Sequence, residues 1–143
     1  MADRKRVLIL CTGNSARSQM AEGLLREMAG DRYAVASAGV APTRVRQEAI
    51  AAMKEIGIDI NEHRAKSIEE FTNDRFDYVI TVCDNANQQC PTFPGAFHVH
   101  WSIEDPAAVA GDDDTRLKAF RIARDDLLRR LREFTKSQRG QAD

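Results

Sequence analysis

The feature that most constrains the fold is a predicted strand, Arg6–Leu10, that leads through a loop of small residues into a helix-like segment. Its residues after Arg6 are all apolar, as is typical of a central parallel strand that is covered on both faces. The helix-like segment spans residues 16–28 and has apolar residues on one face: Met20, Leu24, Leu25 and Met28. We therefore predict that the chain begins with a βα unit.

Strand-like and helix-like patterns alternate along the rest of the chain. The predicted strands are residues 33–38, 77–82 and 97–101, and the predicted helices are residues 45–56 and a long segment that begins at residue 112. Ile56 is expected on the buried face of the second helix. This alternation implies an α/β fold, with a parallel sheet, right-handed connections and helices on both faces. No repeat or linker divides the sequence, so we predict a single domain over residues 1–143.

Chemically reactive side chains follow three of the predicted strands. Cys11 comes directly after the first strand, Cys83 directly after the third, and Asp105 lies four residues beyond the fourth. Ligands of such sheets bind at the carboxyl ends of the strands. We therefore expect these side chains to meet at one rim of the sheet.

The loop after the first strand has the spacing Cys-x5-Arg. It consists of Cys11, Thr12, Gly13, Asn14, Ser15, Ala16, Arg17 and Ser18. Backbone amides of such a loop, at the start of a helix, can point inward and bind an anion, and an arginine can hold two oxygens of a tetrahedral oxyanion. The same field is expected to lower the pKa of Cys11 and make it a thiolate nucleophile. The sequence thus predicts an oxyanion site at residues 12–18.

The composition narrows the partners and the compartment. A net charge of −1 gives no reason to expect nucleic acid or a membrane as a partner. The longest apolar run is too short to cross a bilayer, and no signal-peptide pattern follows the basic start, so we expect a cytoplasmic protein. No feature calls for a bound cofactor.

The three cysteines, Cys11, Cys83 and Cys90, leave several interpretations open. An odd number of cysteines in a reducing compartment indicates thiol chemistry, a metal site or small buried residues rather than a disulfide scaffold. Zinc ligation by Cys83 and Cys90 with His98 and His100 is an alternative, but Cys-x6-Cys with His-x-His is not a usual zinc spacing. We therefore predict no metal site.

The loop sequence resembles the active-site loop of the low-molecular-weight protein tyrosine phosphatase superfamily. The similarity continues through Ser37-Ala38-Gly39, Thr81-Val82-Cys83-Asp84, Cys90-Pro91 and Trp101 with Asp105-Pro106. Within that superfamily the chain is similar to arsenate reductases of the thioredoxin-coupled type. The resemblance implies a four-stranded parallel sheet in the order 2-1-3-4, flanked by helices.

The resemblance also implies a chemical role for each cysteine. Cys11 would attack arsenate, Cys83 would attack the Cys11 sulfur and release arsenite, and Cys90 would then capture Cys83. The resulting disulfide would be reduced by thioredoxin or another thiol donor. Arg17 would bind the oxyanion and Asp105 would act as the general acid, although its neighbour Glu104 is an alternative acid.

A protein tyrosine phosphatase is the alternative function. It would need Cys11, Arg17 and Asp105 but neither of the other cysteines, and we therefore also expect a weak phosphatase side activity. Ala107 and Ala108 follow Asp105-Pro106 where phosphatase relatives typically have an aromatic residue, which favours the reductase. The segment Asp84–Gln89, between the two additional cysteines, is polar, and we expect it to lack an apolar anchor and to rearrange easily.

Lys66 is the place where the sequence departs from a second pattern of this family. Some of its reductases bind potassium beside the loop through residues like Asn14, Glu22 and Ser37, together with an acidic residue. Here Lys66 appears at the position of that acidic residue. Its ammonium group is expected to replace the cation and to pair with Glu22, the alternative being an exposed lysine.

Overall fold

The computed structural model describes residues 4–91 and 93–141. Four strands, β1 (Lys5–Cys11), β2 (Tyr33–Gly39), β3 (Tyr78–Thr81) and β4 (Phe97–His100), form one sheet in the order β2-β1-β3-β4. All neighbouring strands are parallel. The predicted strand order and direction are therefore confirmed. The ends of the predicted domain, residues 1–3 and 142–143, lie outside the described residues.

Four α-helices accompany the sheet within the described residues. They are α1 (Arg17–Ala29), α2 (Gln47–Lys54), α3 (Asp84–Gln89) and α4 (Asp113–Gln141). Short 3₁₀ helices cover Ile68–Phe71 and Pro106–Ala108. None of the described helices is long and apolar enough to span a membrane.

Helix α2 is shorter than its hydrophobic pattern predicts. The backbone is still extended at Arg46 and reaches a left-handed conformation at Gly57, where φ is +80°. The expected burial of Ile56 is wrong, since this side chain is 41% exposed. A pattern of apolar residues does not reveal where a turn diverts the chain, and here the turn moves Ile56 out to solvent.

The core forms around β1, whose residues from Val7 to Leu10 are fully buried. Helix α4 packs against α1 and α2, and it buries Phe120, Leu127 and Leu131. Burial of one apolar side chain of this size contributes about 1.5–3 kcal/mol to folding. The core thus holds rigid the strand that ends at Cys11.

The segment between Cys83 and Cys90 differs from the prediction. Residues Asp84–Gln89 form α3, and Ala86 is fully buried within it. The expectation that this segment lacks an apolar anchor is therefore wrong. The other residues of α3 are polar and exposed, so Ala86 alone anchors this short helix. The sequence offered no helical period over so short a stretch.

Candidate active site

The structure brings the predicted residues to one rim of the sheet. Cys11 is the last residue of β1, Cys83 follows β3, and Arg17 is the first residue of α1. Arg17 Nη1 donates a hydrogen bond to the carbonyl oxygen of Ile103 at 2.9 Å, and its Nη2 lies 3.9 Å from Oδ2 of Asp105. The arginine and the predicted acid are therefore neighbours.

The carbonyl oxygens of the Cys-x5-Arg loop point away from its centre. Those of Cys11, Thr12, Gly13 and Ser15 accept hydrogen bonds from backbone amides of the adjacent segment, residues 40–46, at 2.8–3.3 Å. The carbonyl of Asn14 accepts a hydrogen bond from Gln19 Nε2 at 3.1 Å. In a trans peptide, the N–H points opposite to the C=O. The following amides are therefore directed inward.

These inward amides have the arrangement that the predicted oxyanion site requires. Within the described parts of the chain, no backbone amide of residues 13–16 donates to a protein acceptor, so these groups remain available for a ligand. Asn14 makes this turn with φ at +48°, in the left-handed region that asparagine tolerates better than most residues. Gly39 of β2 lies directly behind the loop, and its lack of a side chain permits this approach.

Asn14 also connects the loop to its surroundings. Its buried side chain donates to Ser18 Oγ at 2.8 Å and to Ser37 Oγ at 2.9 Å. Its Oδ1 accepts from Gln19 Nε2 and from the amide of Lys66, both at 2.9 Å. Sequence reasoning missed Gln19. Its position in the first turn of α1, directly after the loop, was the signal available.

Glu22 is a buried carboxylate behind the same loop. Ser37 donates a hydrogen bond to it, and Lys66 Nζ lies 3.7 Å from its Oε1. Burial alone would raise the pKa of Glu22, but the Ser37 hydrogen bond and the charges of Lys66 and Arg26 lower it overall. The Lys66 side chain is only 14% exposed, so the pairing that the sequence predicted is present and the exposed alternative is wrong.

Cys83 lies beside the loop and accepts several hydrogen bonds. Asn85 Nδ2 donates to Thr12 Oγ1 at 3.0 Å, which leaves the Thr12 hydroxyl proton free to point at Cys83 Sγ, 3.2 Å away. The amide of Ala86 also donates to this sulfur, at 3.4 Å. Together with a hydrogen bond from the Cys11 thiol, which has the largest effect, these contacts lower the pKa of Cys83 to about 5.

Cys11 and Cys83 titrate as a pair, because the hydrogen bond between their sulfurs lowers the pKa of Cys83 and raises that of Cys11. The hydrogen bond to Cys83 and burial raise the pKa of Cys11, although Arg17 and the amide of Ser18 act in the opposite direction. The expectation of a lowered pKa for Cys11 is wrong for the site without an oxyanion. That expectation considered only the loop, whereas the largest effect on the pKa of Cys11 comes from its hydrogen bond with Cys83.

The remaining predicted residues lie at the edges of this site. Cys90 follows α3 and is half-buried, and burial raises its pKa. Asp105 is exposed and accepts a hydrogen bond from the amide of Ala107. Arg116 of α4 donates to the carbonyl of Val109 at 2.8 Å and so holds the loop that carries the acid.

The histidines of the zinc alternative have other surroundings. His100 Nε2 lies 2.9 Å from Asp84 Oδ1, and His98 is exposed. Among residues 4–91 and 93–141, no group of three or more histidine, cysteine or acidic side chains is arranged to hold a metal ion.

A parallel α/β fold with a cysteine at the base of a loop of inward-directed amides is typical of phosphatase-like enzymes that form a bond between sulfur and a bound oxyanion. The family model described as low molecular weight phosphotyrosine protein phosphatase matches residues 6–142. The chain therefore belongs to this family.

Comparison with individual proteins narrows the relationship. A protein of Halalkalibacterium halodurans named arsenate reductase is 40% identical over 136 residues, which cover 94% of this chain and 98% of that protein. A solved arsenate reductase in the phosphate binding state has a TM-score of 0.80 and 34% identity, and covers 93% of this chain and 98% of its own. The thioredoxin-dependent arsenate reductase of Corynebacterium glutamicum has a TM-score of 0.74 and 29% identity, and covers 95% of this chain and 62% of its own. The resemblance to arsenate reductases of this family is thus confirmed.

Proposed function

We propose that this protein reduces arsenate to arsenite by means of its three cysteines and is then recycled by thioredoxin or a similar thiol donor. The observation that carries the proposal is the position of Cys83, a second thiol within the hydrogen-bond network of the Cys11 loop. Hydrolysis of a phosphate ester has no use for it, whereas reduction of arsenic requires two electrons from a pair of thiols. The names of the relatives support the same conclusion.

The first step joins arsenic to Cys11. Arg17 and the inward amides of residues 13–16 hold the oxyanion. The Cys11 proton moves to the Cys83 thiolate beside it, and the Cys11 sulfur then displaces one oxygen of arsenate. Asp105 protonates this oxygen, which leaves as water, a contribution of roughly 10²–10⁴-fold to the rate. Arsenic remains As(V) in this adduct.

The second step transfers the electrons. Cys83 returns its proton to the solvent and its thiolate attacks the Cys11 sulfur. The sulfur–arsenic bond breaks, and its electron pair stays on arsenic, which leaves as arsenite, As(III). The products are a Cys11–Cys83 disulfide and one reduced oxyanion.

The third step restores Cys11. Cys90 loses its proton to solvent and its sulfur attacks the Cys83 sulfur, so that a Cys83–Cys90 disulfide forms. Cys11 leaves as a thiolate and takes up a proton from solvent. The six residues of α3 separate these cysteines, and seven residue-to-residue steps with helical rise span about 10 Å, whereas the Cα atoms of a disulfide lie about 4.4–6.8 Å apart. Helix α3 must therefore unwind in part during this step. An external thiol donor then reduces the disulfide.

The reduction is tested with the purified, reduced protein and a thioredoxin system. We expect electron transfer from thioredoxin that depends on arsenate, is not supported by phosphate, and yields one arsenite per pair of electrons. Cys83→Ser should abolish arsenite release, while a small aryl phosphate is still hydrolysed slowly through Cys11, Arg17 and Asp105. Arsenite release by Cys83→Ser, or aryl phosphate turnover faster than arsenate turnover in the wild type, would replace this proposal by the phosphatase function.

The bound oxyanion is tested separately through Arg17. Arg17→Lys keeps the positive charge but loses the two-pronged contact, so its activity should fall sharply. We place the protein in the cytoplasm, because a reducing compartment keeps the three thiols in the form that this cycle needs.

A further inference from the structure

Two residues of α3 make polar contacts with side chains at the ends of β3 and β4, and none of these side chains takes part in the proposed chemistry. Thr81 at the end of β3 and His100 at the end of β4 are paired in the sheet. The His100 ring lies between Thr81 and Asp84: its Nδ1 is 2.8 Å from Thr81 Oγ1, and its Nε2 donates to Asp84 Oδ1 at 2.9 Å. Asp84 is the first residue of α3.

A second contact fastens the middle of the same helix. The Thr81 hydroxyl lies 3.1 Å from Oδ1 of Asn87, the fourth residue of α3. The backbone amide of Asn87 also donates to the carbonyl of Cys83 at 3.1 Å. The first turn of α3 is thus held to the rim of the sheet through His100 and Thr81.

This attachment opposes a movement that the proposed transfer of oxidation from Cys11 through Cys83 to Cys90, the cysteine relay, requires. Cys90 reaches Cys83 only when α3 opens, and opening separates Asp84 and Asn87 from the rim. We propose that the His100–Asp84 pair is a latch that keeps α3 closed in the reduced protein and slows formation of the Cys83–Cys90 disulfide. The inference rests on the proposed function, in which this disulfide is the last intramolecular step, and it makes His100 a positioning residue.

The contribution of the latch is limited by solvent. The side chain of Asp84 is 68% exposed and that of His100 is 30% exposed. Ion pairs at such positions are weak, so loss of the pair should accelerate opening of α3 by roughly two- to fivefold. A gain in rate is informative when the free energy of global unfolding is unchanged, because general destabilisation would also speed opening of α3.

The latch can be tested without arsenate, in a Cys11→Ser background. Glutathione disulfide reacts with one thiol of the Cys83–Cys90 pair, forms a mixed disulfide and releases one glutathione. The second protein thiolate then attacks the protein sulfur and releases the other glutathione. The protein loses two electrons, and one glutathione disulfide becomes two glutathione molecules. Mass spectrometry of quenched samples gives the rate of this closure.

The variant His100→Asn keeps a polar group near Thr81 but is too short to reach Asp84. We expect closure to be two- to fivefold faster than with His100 present. His100→Gln, whose amide nitrogen can occupy the position of Nε2, should return the rate toward the original value. His98→Asn is the matched control, since His98 lies two residues earlier in β4, is exposed, and has no hydrogen bond to α3 among the described residues.

The partner residue gives an independent check. Asp84→Ala should accelerate closure by at least the same factor, since it also removes a hydrogen bond with Ser102. Adding His100→Asn to Asp84→Ala should give no further acceleration, because the pair is already lost. Hydrogen exchange at the Asn87 amide should accelerate in each of them. Unchanged closure in His100→Asn and Asp84→Ala, or equal acceleration in His98→Asn, would overturn the latch.

Failure of the latch and failure of the relay give different results. Arsenite release in a single turnover of the otherwise wild-type enzyme precedes opening of α3, so it should be the same with and without His100→Asn. If arsenate leaves no Cys83–Cys90 disulfide in the wild type, the relay itself is wrong. If this disulfide forms at the same rate with and without His100→Asn, only the latch is wrong.

Discussion

A methyl group added at Gly39 tests how closely β2 supports the oxyanion loop. The added Cβ would lie 2.6 Å from the carbonyl oxygen of Thr12, 2.8 Å from the amide nitrogen of Asn14 and 3.0 Å from the carbonyl carbon of Gly13. All three are backbone atoms of the loop, so no flexible side chain can yield instead. Gly39→Ala should therefore displace the loop itself.

The size of the effect follows from these distances. A contact of 2.6 Å must lengthen by at least about 0.4 Å to reach 3.0 Å, the lower limit of real Cβ contacts. Overpacking of this kind costs about 1–3 kcal/mol of stability. A displacement approaching 1 Å in a catalytic site lowers the rate about 10²-fold, so we expect kcat/KM for arsenate to fall on the order of 10- to 100-fold.

The assay compares Gly39→Ala with Gly57→Ala, a matched control remote from the site. Gly57 has φ at +80° and no atom within 4 Å of an added Cβ, so its replacement strains the backbone by about 1–2 kcal/mol without a clash. Urea unfolding should show a similar loss of stability in both variants, but only Gly39→Ala should lose kcat/KM. A Gly39→Ala enzyme that is destabilised yet keeps kcat/KM within twofold would refute the idea that β2 positions the loop.

Three further results are expected. Cys90→Ser should release about one arsenite per enzyme and then stop with Cys11 joined to Cys83, as shown by mass mapping of the trapped disulfide. Thr12→Val removes a hydrogen bond to the Cys83 thiolate, so the pH midpoint of thiolate ultraviolet absorbance should rise from about 5 by roughly one unit. Because the Lys66 ammonium already lies 3.7 Å from Glu22, potassium and sodium at equal ionic strength should give the same rate of arsenate reduction.

Each of these three predictions would be contradicted by a specific outcome. Full turnover by Cys90→Ser with thioredoxin would reduce the relay to two cysteines. An unchanged midpoint in Thr12→Val would show that the titrating thiolate is not that of Cys83. Activity several-fold higher in potassium than in sodium would show that Lys66 does not take the place of a cation.

The lowered pKa of Cys83 also makes the free energy of unfolding depend on pH. The pKa of Cys83 in the folded protein, about 5, is below the ordinary thiol value of about 8.5. Its ionisation therefore stabilises the fold increasingly as the pH rises from about 5 to the ordinary value, and this contribution is lost as the pH falls toward 5. Above the ordinary value the raised pKa of Cys11 acts in the opposite direction. Unfolding in urea at several pH values measures the loss.

The sheet and its reactive rim could be predicted from local sequence. A continuous apolar strand, as in β1, can be buried only inside a parallel sheet, and Cys11 and Cys83 then follow at its carboxyl edge. Arg17 is fixed by the five residues that separate it from Cys11. These properties depend on neighbours in the chain or on the topology alone.

The parts that the sequence did not reveal depend on contacts between distant elements. The proton position in the Cys11–Cys83 pair arises from two loops that are separate in sequence, and the contact of His100 with Asp84 joins β4 to α3. Helix α3 is too short to display a period, and its single anchor, Ala86, is a residue that also suits an exposed surface. Such features follow only from the assembled structure.

The distribution of charge and exposure among the three sulfurs bears on how the enzyme withstands peroxides. Peroxides attack thiolates that they can reach, and repeated attack converts cysteine irreversibly to sulfinic and sulfonic acids. Cys83 has a lowered pKa but is only 4% exposed, whereas the more accessible Cys90 has a raised pKa. The resting protein thus offers no sulfur that is both charged and open to solvent, and its reducing power is kept for a small oxyanion that the loop admits.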